Sequence, residues 1–339
     1  MTFLLEIKEK LRKIYIDYSY AILPVLKFAL AMIVFMTINN NIGFLSVFKN
    51  IFIILIMALV CALLPVKMIV VFGAIMILGH SYALGIEIAA VTLVVFLLLL
   101  IFAGRFIGKD VAGLFLTPLA FGIGIPCAVP ICFGLIRIPY SAVSVCCGTF
   151  IYHFISVIKN KAPVLKGGDQ TDMLTNVRVL LDGIIKDKML VLNLVVMAAV
   201  LIIVYVIRRI GADHAWSIAI CLGAGAYLVF MIAGGLVLDL EISMISMILG
   251  TIGAVLVGIV LQFFIMSVDY SRTEKLEFED DEYYYYVKAV PKMTISKQQR
   301  KIKTISSGDS ENPLGSNREE AAYDENDLER KLEESLKEL

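Results

Sequence analysis

Long apolar runs alternate with short polar or charged connections over residues 20–269 of the chain. A helix needs about 20 apolar residues to cross a bilayer. The pattern predicts an all-α polytopic membrane protein whose main partner is the lipid bilayer. The ten predicted membrane helices, three of them short, are Tyr20–Ile38, Phe44–Leu64, Val66–Leu78, Gly85–Ala103, Val111–Gly122, Pro126–Ile136, Tyr140–Ile158, Met189–Ile207, His214–Val237 and Ile242–Val268.

The pair Val111–Gly122 and Pro126–Ile136 leaves the number of crossings open, because each segment is short for a bilayer. The two segments could be separate crossings, one long kinked helix, or a hairpin that enters and leaves from one face. We expect about ten crossings, or eight plus a re-entrant hairpin. One kinked helix would instead give nine.

Basic residues predict the orientation, because short cytoplasmic connections are enriched in Lys and Arg. Ten crossings, or eight plus a hairpin, place all of the basic clusters on one side. The sequence therefore predicts a multi-pass protein of the cell membrane with both termini in the cytoplasm. These clusters are the N-terminal group Lys8, Lys10, Arg12 and Lys13, then Lys67, Arg105 with Lys109, Arg137, Arg208 with Arg209, and Arg272 with Lys275.

Composition separates a membrane domain from a charged tail. The chain of 339 residues is 59% hydrophobic and 18% charged, against about 25% charged for a soluble domain. Residues 270–339 hold 12 basic and 17 acidic residues, so the zero net charge hides a basic membrane part and an acidic tail. We therefore divide the chain into an amphipathic cytoplasmic segment 1–19 without a cleavable signal peptide, a membrane domain 20–269 and a cytoplasmic tail 270–339.

The connection 159–188 has a helical pattern of its own. Apolar residues recur between Met173 and Ile185 at roughly helical spacing, with charged residues between them. This indicates an amphipathic helix at the membrane surface or an ordered linker packed on the bundle. The proposed orientation places this segment outside the cell.

Two similar segments suggest an inverted three-helix repeat. Pro65 stands eight residues before Gly73, and Pro126 stands eight residues before Gly134. Each unit has a helix, a Pro break, a short helix and a long helix. Inverted repeats with broken helices are typical of transporters.

Prolines concentrate between Thr117 and Tyr140, which predicts interrupted helices there. Proline removes a backbone donor, and a freed carbonyl within a membrane must find a partner or line a cavity. A kinked hairpin needed only for packing would have the same pattern. The candidate substrate-pathway residues, including one histidine within an apolar run, are Thr117, Pro118, Pro126, Pro130, Pro139, Tyr140 and His153.

Small residues recur every four positions in the last predicted span, at Ser246, Gly250, Ala254 and Gly258. This spacing places them on one helical face, where a second backbone can approach closely. The pattern predicts helix packing within the bundle or between subunits.

The tail contains three recognisable parts. Aromatic and β-branched residues on both sides of an acidic turn predict a β-hairpin, a basic linker follows, and leucines at helical spacing end the chain. We expect the tail to bind a cytoplasmic protein or to self-associate. The residues expected to dock a partner are Phe278, Tyr283, Tyr285, Leu332 and Leu336.

The motifs that the chain lacks narrow its function. The sequence has no HExxH, no Gly-x-Ser-x-Gly and no phosphate-binding loop, and its six cysteines have no zinc-ligand spacing. We expect no enzymatic activity, no metal, no cofactor and no nucleic-acid partner. The leading hypothesis is a transporter or permease-like subunit, and the alternative is a non-transporting scaffold that recruits a partner through its tail.

Overall fold

A computed structural model describes residues 2–106, 110–166, 173–265, 274–279 and 283–289. These residues form twelve α-helices and one two-stranded sheet. The first six helices are α1 (Thr2–Asp17), α2 (Ser19–Ile42), α3 (Ile51–Leu63), α4 (Lys67–Tyr82), α5 (Ile86–Phe106) and α6 (Ala112–Ile123). The remaining elements are α7 (Ala128–Ile136), α8 (Ala142–Lys166), α9 (Met173–Ile185), α10 (Lys188–Arg208), α11 (Ala215–Leu238), α12 (Met244–Ile265), β1 (Glu274–Glu279) and β2 (Tyr284–Ala289).

Helices occupy all ten positions predicted for membrane spans. Five apolar stretches of the described chain are long enough to cross a bilayer, namely Ser19–Ile42, Pro139–Leu165, Lys188–Arg208, Ala215–Leu238 and Met244–Ile265. Shorter apolar helices lie between the first two of them. The fold is therefore compatible with an all-α membrane protein.

The directions of the helices follow from which residues meet. Helix α10 defines two ends of the bundle, the Asp187 end where it begins and the Arg208 end where it finishes. Helix α8 is antiparallel to α10, because His153 meets Asp187 whereas Cys146 meets Leu194. Helix α8 therefore runs from the Arg208 end to the Asp187 end.

Helices α6 and α7 form a hairpin and not one kinked helix. Helix α6 is parallel to α8, since Gly113 packs on Ser144 and Phe121 stacks on Tyr152. Helix α7 runs the opposite way, and its last turn reaches Arg208 of α10. Both ends of this hairpin therefore lie at the Arg208 end, so the interpretation of these two segments as one long kinked helix is wrong.

Helices α3 and α4 form a second hairpin that opens in the opposite direction. Helix α2 is parallel to α8, because Thr37 lies near Gly122 and Lys159 bonds to Asn41. Helix α3 turns back along α2 until the Leu64 carbonyl accepts a bond from Lys27. Helix α4 then returns along α2, with its His80 beside Leu45 at the Asp187 end.

The ten predicted spans are thus not ten helices that run from end to end. Within the described part of the chain, five long apolar helices do so, namely α2, α8, α10, α11 and α12. Helix α5, whose apolar stretch is shorter, makes a sixth, because it begins beside α9 at the Asp187 end and leads to Asp110 at the Arg208 end. At 1.5 Å per residue, the four hairpin helices are about 14 to 24 Å long, against about 30 Å for the hydrocarbon core. The breaks at Pro65 and Pro126 interrupt the helical hydrogen bonds, and the tertiary packing turns each break into a reversal of direction.

The two hairpins are oriented as an inverted repeat requires, and each is followed by a long helix. Their packing differs, however. Helix α4 packs on α2 and α5, whereas α7 packs on α10 and α12. The inverted repeat therefore stays a prediction.

The apolar core has two parts. One is formed mainly by α2 to α5, α8 and α9, with Phe35, Met76 and Phe154 fully buried. The other is formed mainly by α7, α10, α11 and α12, with Met197 and Leu201 fully buried. Helices α6 and α8 contribute residues to both and connect them.

The predicted amphipathic connection contains α9, which lies at the Asp187 end. Leu180 is fully buried against the first core, and Gly183 packs on Val157 of α8. Leu174 and Ile185 are exposed. The helix thus packs on the bundle through one face and presents apolar residues on another.

The predicted tail hairpin corresponds to β1 and β2, which pair antiparallel from Glu274 opposite Ala289 to Glu279 opposite Tyr284. The terminal leucine pattern, with Leu332 and Leu336, lies outside the described residues.

Candidate functional site

The α6–α7 hairpin owes its shape to three residues. Pro118 within α6 lacks the donor that would bond the Leu114 carbonyl four residues earlier. Gly124 ends α6 with a left-handed backbone at φ 84°, a conformation that favours glycine. Pro130 is the third residue of α7, where a helix has no need of its missing N–H.

Charged groups hold the open end of the hairpin together. The Asp110 carboxylate lies 3.3 Å from Nε of Arg137, so an ion pair joins the residues that flank the two helices. Arg208 donates from Nη2 to the Arg137 carbonyl at 2.7 Å and from Nη1 to the Leu135 carbonyl. These bonds satisfy carbonyls that the end of α7 would otherwise leave without donors.

A small cavity of about 60 Å³ lies beside the hairpin, lined by α2, α4, α5, α6 and α8. Its wall is mostly apolar and contains Gly73 of α4 together with Leu114, Phe115 and Pro118 of α6. Leu114 thus lines the cavity, and its carbonyl is the one that loses its usual helical donor because of Pro118. Pro118 is the one candidate from the sequence that lines this cavity.

The polar residues of the cavity lie toward one end. Thr37 and Asn41 of α2 line it nearest the Asp187 end, and Val34 lines it about 10 Å deeper along the helix axis. The Thr37 hydroxyl donates to the Ile33 carbonyl at 2.8 Å, and the Asn41 amide donates to the Thr37 carbonyl at 2.9 Å. Ile38 and Ile77 line the same end, so the wall is mostly apolar there as well.

Thr117 lies on the other face of α6 and does not line the cavity. It is fully buried against Gly148 of α8, where its hydroxyl has no hydrogen-bond partner among the described residues. Close contact between α6 and α8 depends on this glycine, because a Cβ there would overlap the Gly113 carbonyl oxygen. The surroundings of Thr117 are those of a packing residue.

His153 belongs to a buried polar chain near the Asp187 end. Its Nδ1 lies 2.8 Å from Oδ2 of Asp187, and its Nε2 lies 3.0 Å from Nδ2 of Asn193. The geometry fits a neutral ring that donates to Asp187 and accepts from Asn193. Asp187 and Asn193 are not among the candidates from the sequence, although an Asp before a helix and an Asn within an apolar helix are both visible signals.

The remaining pathway candidates lie away from the cavity. Pro139 and Tyr140 belong to a 3₁₀ turn at the Arg208 end, about 20 Å from His153 along α8. Pro126 precedes α7, and Pro130 lies in its first turn. Helix α7 packs into the second core. The structure therefore does not bring the seven candidates into one site.

The small-residue face of α12 packs on the hairpin turn and on α7. A Cβ at Gly250 would overlap the Gly124 carbonyl oxygen, and Ala254 is fully buried. A Cβ at Gly258 would lie 3.3 Å from Ile131 of α7. Ser246, at the beginning of the helix, is exposed.

The tail candidates are placed in part. Tyr283 and Tyr285 are 61% and 44% exposed. Phe278 belongs to β1, but the structure does not describe its side chain.

Among the described residues, no group of three or more His, Cys, Asp or Glu side chains is placed to hold a metal ion.

Comparison with protein-family models, with curated proteins and with solved structures finds no match to this chain.

Proposed function

We propose that the chain is a multi-pass transport protein of the cell membrane, with its substrate site in the cavity beside the α6–α7 hairpin. The observation that supports this function is the pair of short hairpins that open at opposite ends of the bundle, with a cavity lined by one helix from each. Interrupted helices inside a bundle are tolerated where they are buried or line a cavity, and transporters use them to build sites near the bilayer midplane.

In this proposal six helices cross the membrane and the two hairpins are re-entrant. Six crossings put both termini on the same side. Arg137, Arg208 and Arg209 lie at the Arg208 end, as does α1, whose Lys8 donates to the Phe263 carbonyl at 2.5 Å. This basic end would face the cytoplasm, whereas Lys159 and the amphipathic helix α9 would face outward.

The two-part core suggests how such a protein would work. The cavity lies where the first core meets α6 and α8, the helices that also belong to the second core. A small rotation of one core against the other would widen the cavity toward one end and close it toward the other. Rigid-body rocking of this kind is how many transporters alternate access to a fixed site.

Thiol accessibility tests the proposal without knowledge of the substrate. Thr37→Cys and Gly73→Cys would be introduced into a variant without the six native cysteines and reconstituted in vesicles of known orientation. A membrane-impermeant thiol reagent should reach each cavity position from either side, whereas Val229→Cys, on the exposed face of α11, should stay unlabelled. Labelling of the cavity positions from only one side would contradict alternating access.

The tail supports a second candidate function, a scaffold that recruits a cytoplasmic protein. An isolated hairpin is marginally stable in water, and exposed tyrosines on β2 and beside it offer a surface for a partner. Deletion of residues 276–339 distinguishes the two functions. Loss of captured partners with alternating access retained would make the tail an adaptor on a transporter, whereas loss of every membrane-linked phenotype in cells would favour the scaffold.

A further inference from the structure

Helix α1 has an apolar face that the rest of the described chain leaves largely uncovered. The residues of this face follow one another at intervals of three and four, so they lie on one side of the helix. Glu9 and Lys13 occupy the opposite side, together with Ile16. The members of the apolar face, each 47–55% exposed, are Leu11, Ile14, Tyr15 and Tyr18, the last directly after the helix.

The helix turns aside from α2 and lies across the end of the bundle. The backbone leaves the helical conformation at Tyr18, with φ −116° and ψ 22°, so α1 does not continue the axis of α2. Lys8, about 15 Å before this bend along the helix, donates from Nζ to the Phe263 carbonyl at 2.5 Å. Phe263 follows Gln262, whose side chain bonds to Ser217 in the first turn of α11, at the Arg208 end. A helix that pointed straight out from α2 would carry Lys8 well beyond this level.

The position of the apolar face favours a lipid surface as its partner. The exposed residues continue into the beginning of α2, where Tyr20 and Leu23 are 78% and 42% exposed on a helix long enough to cross a bilayer. The face of α1 therefore lies beside the beginning of a candidate membrane span. Tyrosines are enriched where membrane meets water, and this segment has three of them, Tyr15, Tyr18 and Tyr20.

The charges of α1 leave apolar contact as the main binding force. The helix contains four basic and three acidic residues, so its net charge is small. Lys10 also pairs with Glu6 at 3.4 Å within the helix. The membrane affinity of a surface helix depends on its buried apolar area and on attraction to anionic lipids, and the second contribution is small here.

We propose that α1 lies in the membrane surface at the Arg208 end, with Leu11, Ile14, Tyr15 and Tyr18 in contact with lipid acyl chains. Helices of this kind bury their apolar face about 5–10 Å into the boundary between head groups and acyl chains. The proposed surface is distinct from the cavity, and it goes beyond the transport function because a scaffold could use the same anchor.

Tryptophan fluorescence of the full-length protein tests the proposal, because the chain has a single Trp, at position 216. Leu11→Trp on the apolar face, or Lys13→Trp on the opposite side, would be introduced into the Trp216→Phe variant. Each protein would be reconstituted, one protomer to a nanodisc, in phosphatidylcholine with bromine on the acyl chains near the head group. Leu11→Trp should be quenched at least about threefold more than Lys13→Trp. Equal quenching at the two positions would overturn the proposal.

The depth of the helix is tested with the same variants. Bromine near the head group should quench Leu11→Trp more strongly than bromine near the end of the acyl chain, since a surface helix lies shallow. The reverse order would place α1 in the hydrocarbon core and contradict the proposal. Quenching that requires added phosphatidylglycerol would overturn the assignment of apolar contact as the binding force.

A charge on the apolar face tests the face itself. Ile14→Glu should lower the lipid quenching of Tyr15→Trp by about half or more, whereas Lys13→Glu, on the opposite side, should leave it unchanged. Equal quenching in the two backgrounds would refute the role of this face. If Leu11→Trp were shielded from aqueous acrylamide but not quenched by brominated lipid, the occupant would be a protein, which would also overturn the proposal.

The outcomes separate this inference from the proposed function. Lipid quenching at α1 together with one-sided thiol labelling of the cavity would retain the membrane anchor and refute alternating access. Two-sided labelling without lipid quenching would retain transport and refute the anchor.

Discussion

Asp110 and Arg137 form an ion pair with 3.3 Å between Oδ1 and Nε, and they flank the two ends of the α6–α7 hairpin. The pair brings the beginning of α6 and the end of α7 to the same end of the bundle. Neither helix is long enough to cross a bilayer alone. The ion pair thus supports the proposal that this segment is re-entrant, entering and leaving the membrane from one side.

Cross-linking tests that geometry. In a variant without native cysteines, Asp110→Cys and Arg137→Cys should be joined by a short bismaleimide in high yield, because their side chains meet. The control pair, Asp110→Cys with Asp187→Cys, places the thiols at opposite ends and should not react. Mass spectrometry of the digested protein measures both yields, and equal yields for the two pairs would contradict the hairpin.

Removal of the Arg208 guanidinium should destabilise the end of α7. Arg208→Gln loses the bonds to the Leu135 and Arg137 carbonyls, and a bond from a charged donor contributes about 1.5–3 kcal/mol. We expect a clear fall in the thermal unfolding temperature in detergent. The control is Arg209→Gln, since Arg209 bonds to the exposed hydroxyl of its own helical neighbour Tyr205. A similar fall for both variants would refute the capping role of Arg208.

The contact between α6 and α8 should be intolerant of a methyl group at position 148. A Cβ on Gly148 would overlap the Gly113 carbonyl oxygen and lie 2.7 Å from Cβ of Thr117. Because backbone atoms cannot move aside cheaply, Gly148→Ala should cost about 1–3 kcal/mol. Gly225→Ala, which meets open space, should be neutral or stabilising. Thermal unfolding of the two variants measures the difference, and equal stability would contradict the close packing.

Asp187 should contribute to stability in two separable ways. Its Oδ1 accepts from the Leu190 N–H as the N-cap of α10, and its Oδ2 bonds to His153. Asn is also a good N-cap, so Asp187→Asn should keep the cap and weaken only the contact with the ring. Asp187→Ala loses both and should be less stable than Asp187→Asn by about 1 kcal/mol, the usual contribution of a cap.

A double-mutant cycle with His153→Gln measures the second contribution of Asp187. We expect Asp187→Ala to cost less in the His153→Gln background, because the partner is already absent. Additive effects on the free energy of unfolding would show that the two side chains do not interact.

The periodicity of apolar residues was enough to predict the positions of the helices, because each helix must have an apolar surface wherever it is placed. Helix α9 was predicted for the same reason from its spaced apolar residues. The direction of each helix was not predictable in this way. Pro126 and Gly124 mark a break, but a kinked helix and a reversal leave the same pattern in the sequence.

The candidate site was predicted in part. Pro118 is a candidate from the sequence because of its effect on the backbone, and it lines the cavity. Its neighbours across the cavity, such as Gly73 and Thr37, resemble many other residues of apolar helices, so nothing local distinguished them. Asp187 and Asn193 likewise gained their importance only from their distance to His153.

By itself the sequence determined the helical class, the apolar stretches and the separation of a charged tail, because these follow from local composition and periodicity. Only the tertiary structure decided that Pro65 and Pro126 mark hairpins of opposite direction, and that residues from both hairpins enclose one cavity. The reason is physical. Hydrophobic periodicity specifies which face of a helix is buried, whereas the choice of neighbours depends on close contacts, such as Gly148 on Gly113, between residues that are far apart in the chain.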